Sequence, residues 1–222
     1  MGGGRGKRMA LGSAVLGCAV LAACAIAVKD RILEVYYLRQ LSHPCSTGID
    51  YDEDERLILL LGQLRSAEAV SLILEHVEGH QAQAQGRQQP LCNQVSIGAL
   101  TAIGPPAVPD LIRSLDSMDR AGLQVAISSL GHIGPESGSL AALIRMLDGD
   151  FKMRLTTVIA ILQLGPPGEA ALLEMLRDQK NSELRDWAIH MLTDARILGH
   201  VVKDLGHELP PALALELAAG RR

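Results

Sequence analysis

Between residues 93 and 195 short amphipathic runs alternate with a repeated punctuation of glycine and proline. The clearest unit, Ala99–Asp116, reads ALTAIGPPAVPDLIRSLD. It returns as SLGHIGPE at Ser129–Glu136, followed by LAALIRMLD at Leu140–Asp148. A third copy reads AILQLGPP at Ala160–Pro167, followed by AALLEMLR at Ala170–Arg177. Apolar anchors at Leu61, Leu100, Leu130, Ile161 and Met191 stand 39, 30, 31 and 30 residues apart. One period therefore holds throughout, apart from an insertion in the first interval. Gly104, Gly134 and Gly165 close an amphipathic run where a helix ends in the left-handed region. Pro105, Pro135 and Pro166 cannot continue that helix but suit the start of the next. Each unit is thus predicted to be helix, tight turn, helix. In the second helix Val108, Leu111, Ile112 and Leu115 fall at helical spacing, as do Leu140, Leu143, Ile144 and Leu147. Neither helix of a pair buries its stripe alone, so successive pairs must stack.

These blocks resemble HEAT repeats of the short, roughly thirty-residue kind, also called phycobilisome-lyase-type repeats. The residues that carry the likeness are Ala99-Leu100 with Ile103-Gly104, then Ala107-Val108-Pro109 with Leu111-Ile112 and Leu115. It spans residues 50–195 and is strongest over 93–178. The resemblance implies an all-α fold, an α-α superhelix (α-solenoid) of about five helical pairs, with the second helices on the concave face. Residues 29–198 form that solenoid, Lys29–Leu41 supplies a first capping helix, and the Gln-rich stretch 79–91 reads as an exposed insertion loop. Residues 199–222 lose the repeat and form an irregular cap, with one last helix at ALALELAA.

A different pattern occupies the N-terminus. Residues 1–8 (MGGGRGKR) are a basic tail, and Met9–Val28 then runs twenty residues without a charge. That is enough helix to cross a hydrocarbon core. Three readings fit: an uncleaved transmembrane signal anchor, a lipoprotein leader in which Leu21-Ala22-Ala23-Cys24 offers Cys24 for lipidation, or a signal peptide cleaved near Ala25-Ile26-Ala27. Basic residues flank the run on both sides and leave its orientation tied. The short basic tail favours an exported solenoid, on the periplasmic or envelope side; a cytoplasmic-facing domain is the other orientation.

Composition narrows the function. Of 222 residues 48% are hydrophobic but only 2% aromatic, so the core is aliphatic. Net charge is −4, with a pI near 6.0. A chain with neither a basic footprint nor rings for base stacking is not expected to bind nucleic acid. No nucleophile–base pattern appears, and neither a cofactor nor a small-molecule substrate is expected. Cys45 and Cys92, if exported, could form a disulfide fastening the first helix beyond the insertion; otherwise they are free thiols. His76 and His80 with Glu75 and Glu78 have helical spacing but lack the order of a zinc motif, so no metal is expected. The acidic run Asp50–Glu55 is read as capping a helix over Arg56–Leu64.

One surface pattern points to binding. Aligned second helices place Glu75, Arg113, Arg145 and Glu174 at equivalent positions, a charge ladder one side chain wide on the expected concave face. The expectation is a membrane-tethered, non-catalytic scaffold or adaptor with a protein partner. Two alternatives stay open: an enzyme or enzyme subunit of the bilin-lyase type, which the resemblance alone suggests, and a structural component of an envelope complex.

Overall fold

The computed structural model describes the backbone of residues 5–42, 51–83, 90–136, 138–148, 151–178, 182–205 and 208–220; side chains are described from Ala23 onward, with further short gaps. The Cys45–Cys92 pairing and the His76–His80 pair lie outside the described side chains, as does most of the apolar run Met9–Val28. Every element among the described residues is helical: α1 Arg5–Leu41, α2 Tyr51–Gln63, α3 Ala69–Gln83, α4 Pro90–Ile103, then a short turn of 3-10 helix Pro105–Ala107 leading into α5 Val108–Ser114. There follow α6 Arg120–Ile133, α7 Ser139–Met146, α8 Phe151–Gln163, α9 Pro166–Arg177, α10 Ser182–Thr193, α11 Ala195–Leu205 and α12 Pro211–Gly220.

The first helices α2, α4, α6 and α8 stack side by side in one layer, and α3, α5, α7 and α9 form a second layer against them. The anchors of these units, Leu61, Leu100, Leu130 and Ile161, are wholly buried at the junction. Small residues set the spacing within the first layer. A Cβ on Gly62 would lie 2.8 Å from Ala99 Cα, and one on Gly131 would lie 2.7 Å from Ala160 Cα. The position after one anchor therefore meets the position before the next, and only glycine against alanine allows that approach. With so few aromatic side chains, close backbone contact and aliphatic burial carry the packing.

The turns keep the positive φ that glycine supplies but not the expected left-handed helical conformation, since ψ is −145°, −170° and −144° at Gly104, Gly134 and Gly165. Pro105 and Pro166 open the next helical turn, whereas Pro135 does not, α7 starting only at Ser139. Gly104, Gly134 and Gly165 have φ of 76°, 103° and 74°. The first unit turns without glycine: Arg65, at the equivalent position, also has a positive φ, 54°. Its Nε donates to the Ile103 carbonyl at 3.3 Å, so the residue that takes the backbone strain also caps the neighbouring α4.

Several boundaries differ from the sequence reading. α1 is one unbroken helix from Arg5 to Leu41, so Lys29–Leu41 continues the preceding run, one of the two forms the sequence allows, rather than following it as a separate helix. α3 runs through Gly79 to Gln83, so the stretch 79–91 is not loop from its start; an exposed glycine weakens a helix without ending it, and good helix formers follow. α2 begins at Tyr51, so the acidic residues lie within its first turns, and Asp54 is buried. Gly199 lies inside α11, which packs on α8, while α12 packs on α9 and α10. The C-terminal residues beyond the repeats are thus two helices, α11 and α12, folded across the open end of both layers. Among the described residues no single helix is long and apolar enough to cross a membrane. The bent pair Asn93–Ile103 and Pro105–Ser114 qualifies by length and composition only, with an angle of 107°, and its apolar residues Leu100, Ile103, Val108 and Leu111 are core.

Candidate partner-binding face

The second helices are amphipathic in register. Ile73, Leu111, Leu143 and Leu172 point inward and are buried, as are Val77, Leu115, Leu147 and Leu176 one turn on. The intervening ladder positions Glu75, Arg113, Arg145 and Glu174 are all exposed. The side chains of Arg113 and Arg145 keep 76% and 59% of their area in solvent, so changing them removes little packing.

Electrostatically the ladder is not the even minus-plus-plus-minus row that the sequence presents. Arg113 is ion-paired with Asp110 one turn earlier on α5. Arg145 reaches Asp116 at 3.8 Å, bridging α7 to the end of α5. Glu75 and Glu174 make no ion pair among the described residues. The cations are therefore partly neutralised within the chain, while the anions are left to solvent or to a partner.

The C-terminal end of the ladder is formed by α7 and α9. A cleft of about 340 Å³ opens between them. Its floor is Leu147, Ile161, Leu172 and Leu184, and Asp148, Glu174 and Asp178 line its edge. Ile144 stands at the rim, 43% exposed, whereas Leu74 at the equivalent place in the first unit is 1% exposed. Periodicity alone could not reveal this cleft, because the pattern makes every interval between second helices look alike.

The remaining candidates fall elsewhere. Among the described residues no group of three or more His, Cys, Asp or Glu is gathered for a metal. His76 is not on the solvated face with Glu75; its ring is half-buried, with Nδ1 4.0 Å from the Asp54 carboxylate. His132 is exposed, and its Nδ1 lies 2.8 Å from the Ser128 carbonyl oxygen. Glu78 accepts from the Asp119 backbone N–H at 2.7 Å, while Asp119 accepts from the N–H groups of Ala121 and Gly122, so both residues fasten the start of α6. Cys24 is a free, exposed thiol on α1. On the docked side of α1, Arg31 bridges Glu34 at 2.6 Å and Glu68 at 3.0 Å. Burial pushes the Glu34 carboxyl up, but the Ser66 hydroxyl and the Arg31 guanidinium outweigh it and hold the group below its usual value.

No curated protein matches the chain in sequence. The family of HEAT repeats matches residues 108–193, so the stretch α5–α10, which carries Arg113, Arg145, Glu174 and the cleft, is similar to HEAT repeats in sequence as well as being built of stacked helical pairs.

Proposed function

We propose that this protein is a membrane-tethered, non-catalytic scaffold that holds a protein partner on the concave, second-helix face of its solenoid. The observation that carries the reading is the exposed ladder Glu75, Arg113, Arg145 and Glu174 in register along one face of a HEAT-repeat stack. HEAT repeats generally mediate protein–protein interaction, and stacked repeats offer an extended surface for an elongated partner. The tether is the apolar run Met9–Val28, anchored as a span or through lipid on Cys24. Helix α1 carries that run into the stack without a break, and Arg31 docks its far end on Glu68 in the turn between α2 and α3. Export of the solenoid follows from the short basic tail.

Site-specific photo-crosslinking in intact cells tests this. Crosslinkers at positions 113, 145 and 174 should capture a common partner. A crosslinker at Gln124, exposed on α6 in the first layer, should not. Arg113→Glu combined with Arg145→Glu should abolish capture while leaving helix content and melting temperature unchanged. Equal capture from Gln124, or none from the second-helix positions, would refute the proposal. Fractionation checks the tether separately: the chain should stay in the membrane fraction after a high-salt wash.

A further inference from the structure

The cleft between α7 and α9 combines three properties that the rest of the second-helix face lacks together. It has an apolar floor of Leu147, Ile161, Leu172 and Leu184. It has an apolar rim residue, Ile144, left in solvent although its counterpart in the first unit is buried. Its edge is acidic: Asp148 and Glu174 make no ion pair among the described residues, and Asp178 adds a third carboxylate. Among the described cations nearby, Arg145 is turned to Asp116, Arg177 is held by Glu216 at 2.9 Å, and Arg154, whose Nε donates to the Leu147 carbonyl, pairs with Glu183 at 3.6 Å. At about 340 Å³ the cleft lies at the low end of ligand-site volumes, roughly 300–1,000 Å³. That suits one or two side chains better than a cofactor.

We propose that this cleft is the anchor site for a basic amphipathic helix of the partner, one apolar side chain entering between α7 and α9 while flanking lysines or arginines meet Asp148, Glu174 and Asp178. The proposal rests on the scaffold reading and adds the chemistry of the partner to it. Helix-in-groove recognition works in this way, with apolar anchors on one face of the ligand. The Asp148 and Glu174 carboxylates beside the groove steer a cationic helix in and repel an acidic one. An anionic membrane surface is disfavoured by the same charges.

The test uses the full-length protein in zwitterionic nanodiscs and a fluorescent alanine–lysine helix carrying one central leucine. Titration should show saturable binding that weakens with salt. Replacing the leucine of the probe by alanine should weaken binding about tenfold, the scale of burying one aliphatic side chain. Replacing its lysines by glutamate should abolish binding. On the protein, Glu174→Lys should remove binding through charge, and Ala171→Leu should remove it by filling the cleft without changing charge. Glu136→Lys, an equal charge change away from the cleft, should leave it intact, and circular dichroism should show all three variants folded.

Binding that ignores Ala171→Leu, or that is equal for the glutamate probe, overturns the proposal. Self-association of the chain that Ala171→Leu relieves would assign the cleft to a second copy and likewise overturn it. If cleft variants have no effect while the Arg113→Glu, Arg145→Glu pair still abolishes crosslinking to the partner, the cleft assignment fails and the scaffold reading survives. Absence of crosslinks from every second-helix position sinks the scaffold reading itself.

Discussion

One substitution should have opposite effects at two glycines of this chain. Gly168 lies in the first turn of α9, where the backbone of α8 crosses it. A Cβ there would fall far inside contact with the Ile161 carbonyl oxygen and 2.8 Å from the carbonyl carbon. Both atoms are backbone, so no rotamer change relieves the clash, and the α8–α9 pair must open. Overpacking of this kind costs about 1–3 kcal/mol, here at the upper end. Alanine returns at most ~1 kcal/mol through helix propensity. Gly168→Ala should therefore lose about 2 kcal/mol. Gly98, on the exposed side of α4, has nothing within 4 Å of an added Cβ. There only propensity acts, and Gly98→Ala should gain about 0.5–1 kcal/mol. For a chain of this length each kcal/mol moves the melting temperature by roughly 2–4 °C. Gly168→Ala should thus melt about 4–8 °C lower and Gly98→Ala about 1–4 °C higher. Urea midpoints with unchanged slopes would confirm that stability, not compactness, has moved. If Gly168→Ala is as stable as wild type, α9 does not approach α8 as described. If both variants lose stability, the open space at Gly98 is wrong.

Other consequences can be measured alongside. Arg65→Ala keeps the positive φ and loses the bond to the Ile103 carbonyl, whereas Arg65→Gly loses the bond but relieves the strain; urea melts should find the glycine variant about 1 kcal/mol the more stable. Leu111→Ala should cost about 2–5 kcal/mol, and hydrogen exchange should rise in α4 and α7 as well as α5, because repeat stability is a nearest-neighbour sum. The depressed Glu34 carboxyl contributes stability that is present above its unfolded value near 4.5 and lost as pH falls through its lower folded value. Tyrosine near-ultraviolet dichroism, which senses the Tyr36–Tyr37 edge contact, should report loosening of α1 below pH 4.5, and Glu34→Gln should remove that acid step.

The periodic part of the fold was legible because one physical rule repeats. Glycine at a positive-φ turn followed by proline marked three junctions, and apolar spacing marked which side of each helix is buried. The rule failed wherever another residue met the same requirement by a different route. Arg65 takes a positive φ because its side chain bonds Ile103, and no turn motif signals that. His76 spacing suggested a solvated face, yet a buried Asp54 on α2 draws the ring inward, a contact between helices that the sequence pattern does not encode. The exposed ladder could be found by alignment because side-chain direction follows helical phase. Its charge state could not, since Asp110 and Asp116 lie outside the aligned column.

The cleft arises where periodicity stops, and this bears on how a repeat protein acquires specificity. Within the regular stack each second helix is held by the one before it, and the column Leu74, Ile112, Ile144 should sink equally into the joints. It does not: Leu74 is buried, Ile112 and Leu173 are half-buried, and Ile144 stands 43% exposed toward the C-terminal end of the stack. There α11 packs on α8, α12 packs on α9, and Leu184 of α10 enters below the cleft. The α8–α9 pair is thus engaged by the cap on the side away from α7. Regular repeats bury equivalent residues equivalently and present an even face, whereas an aperiodic neighbour leaves apolar floor and exposed carboxylates together. On the proposed reading, partner selectivity belongs to the joint between repeat and cap, and swapping the cap α11–α12 should alter binding more than exchanging one internal pair for another.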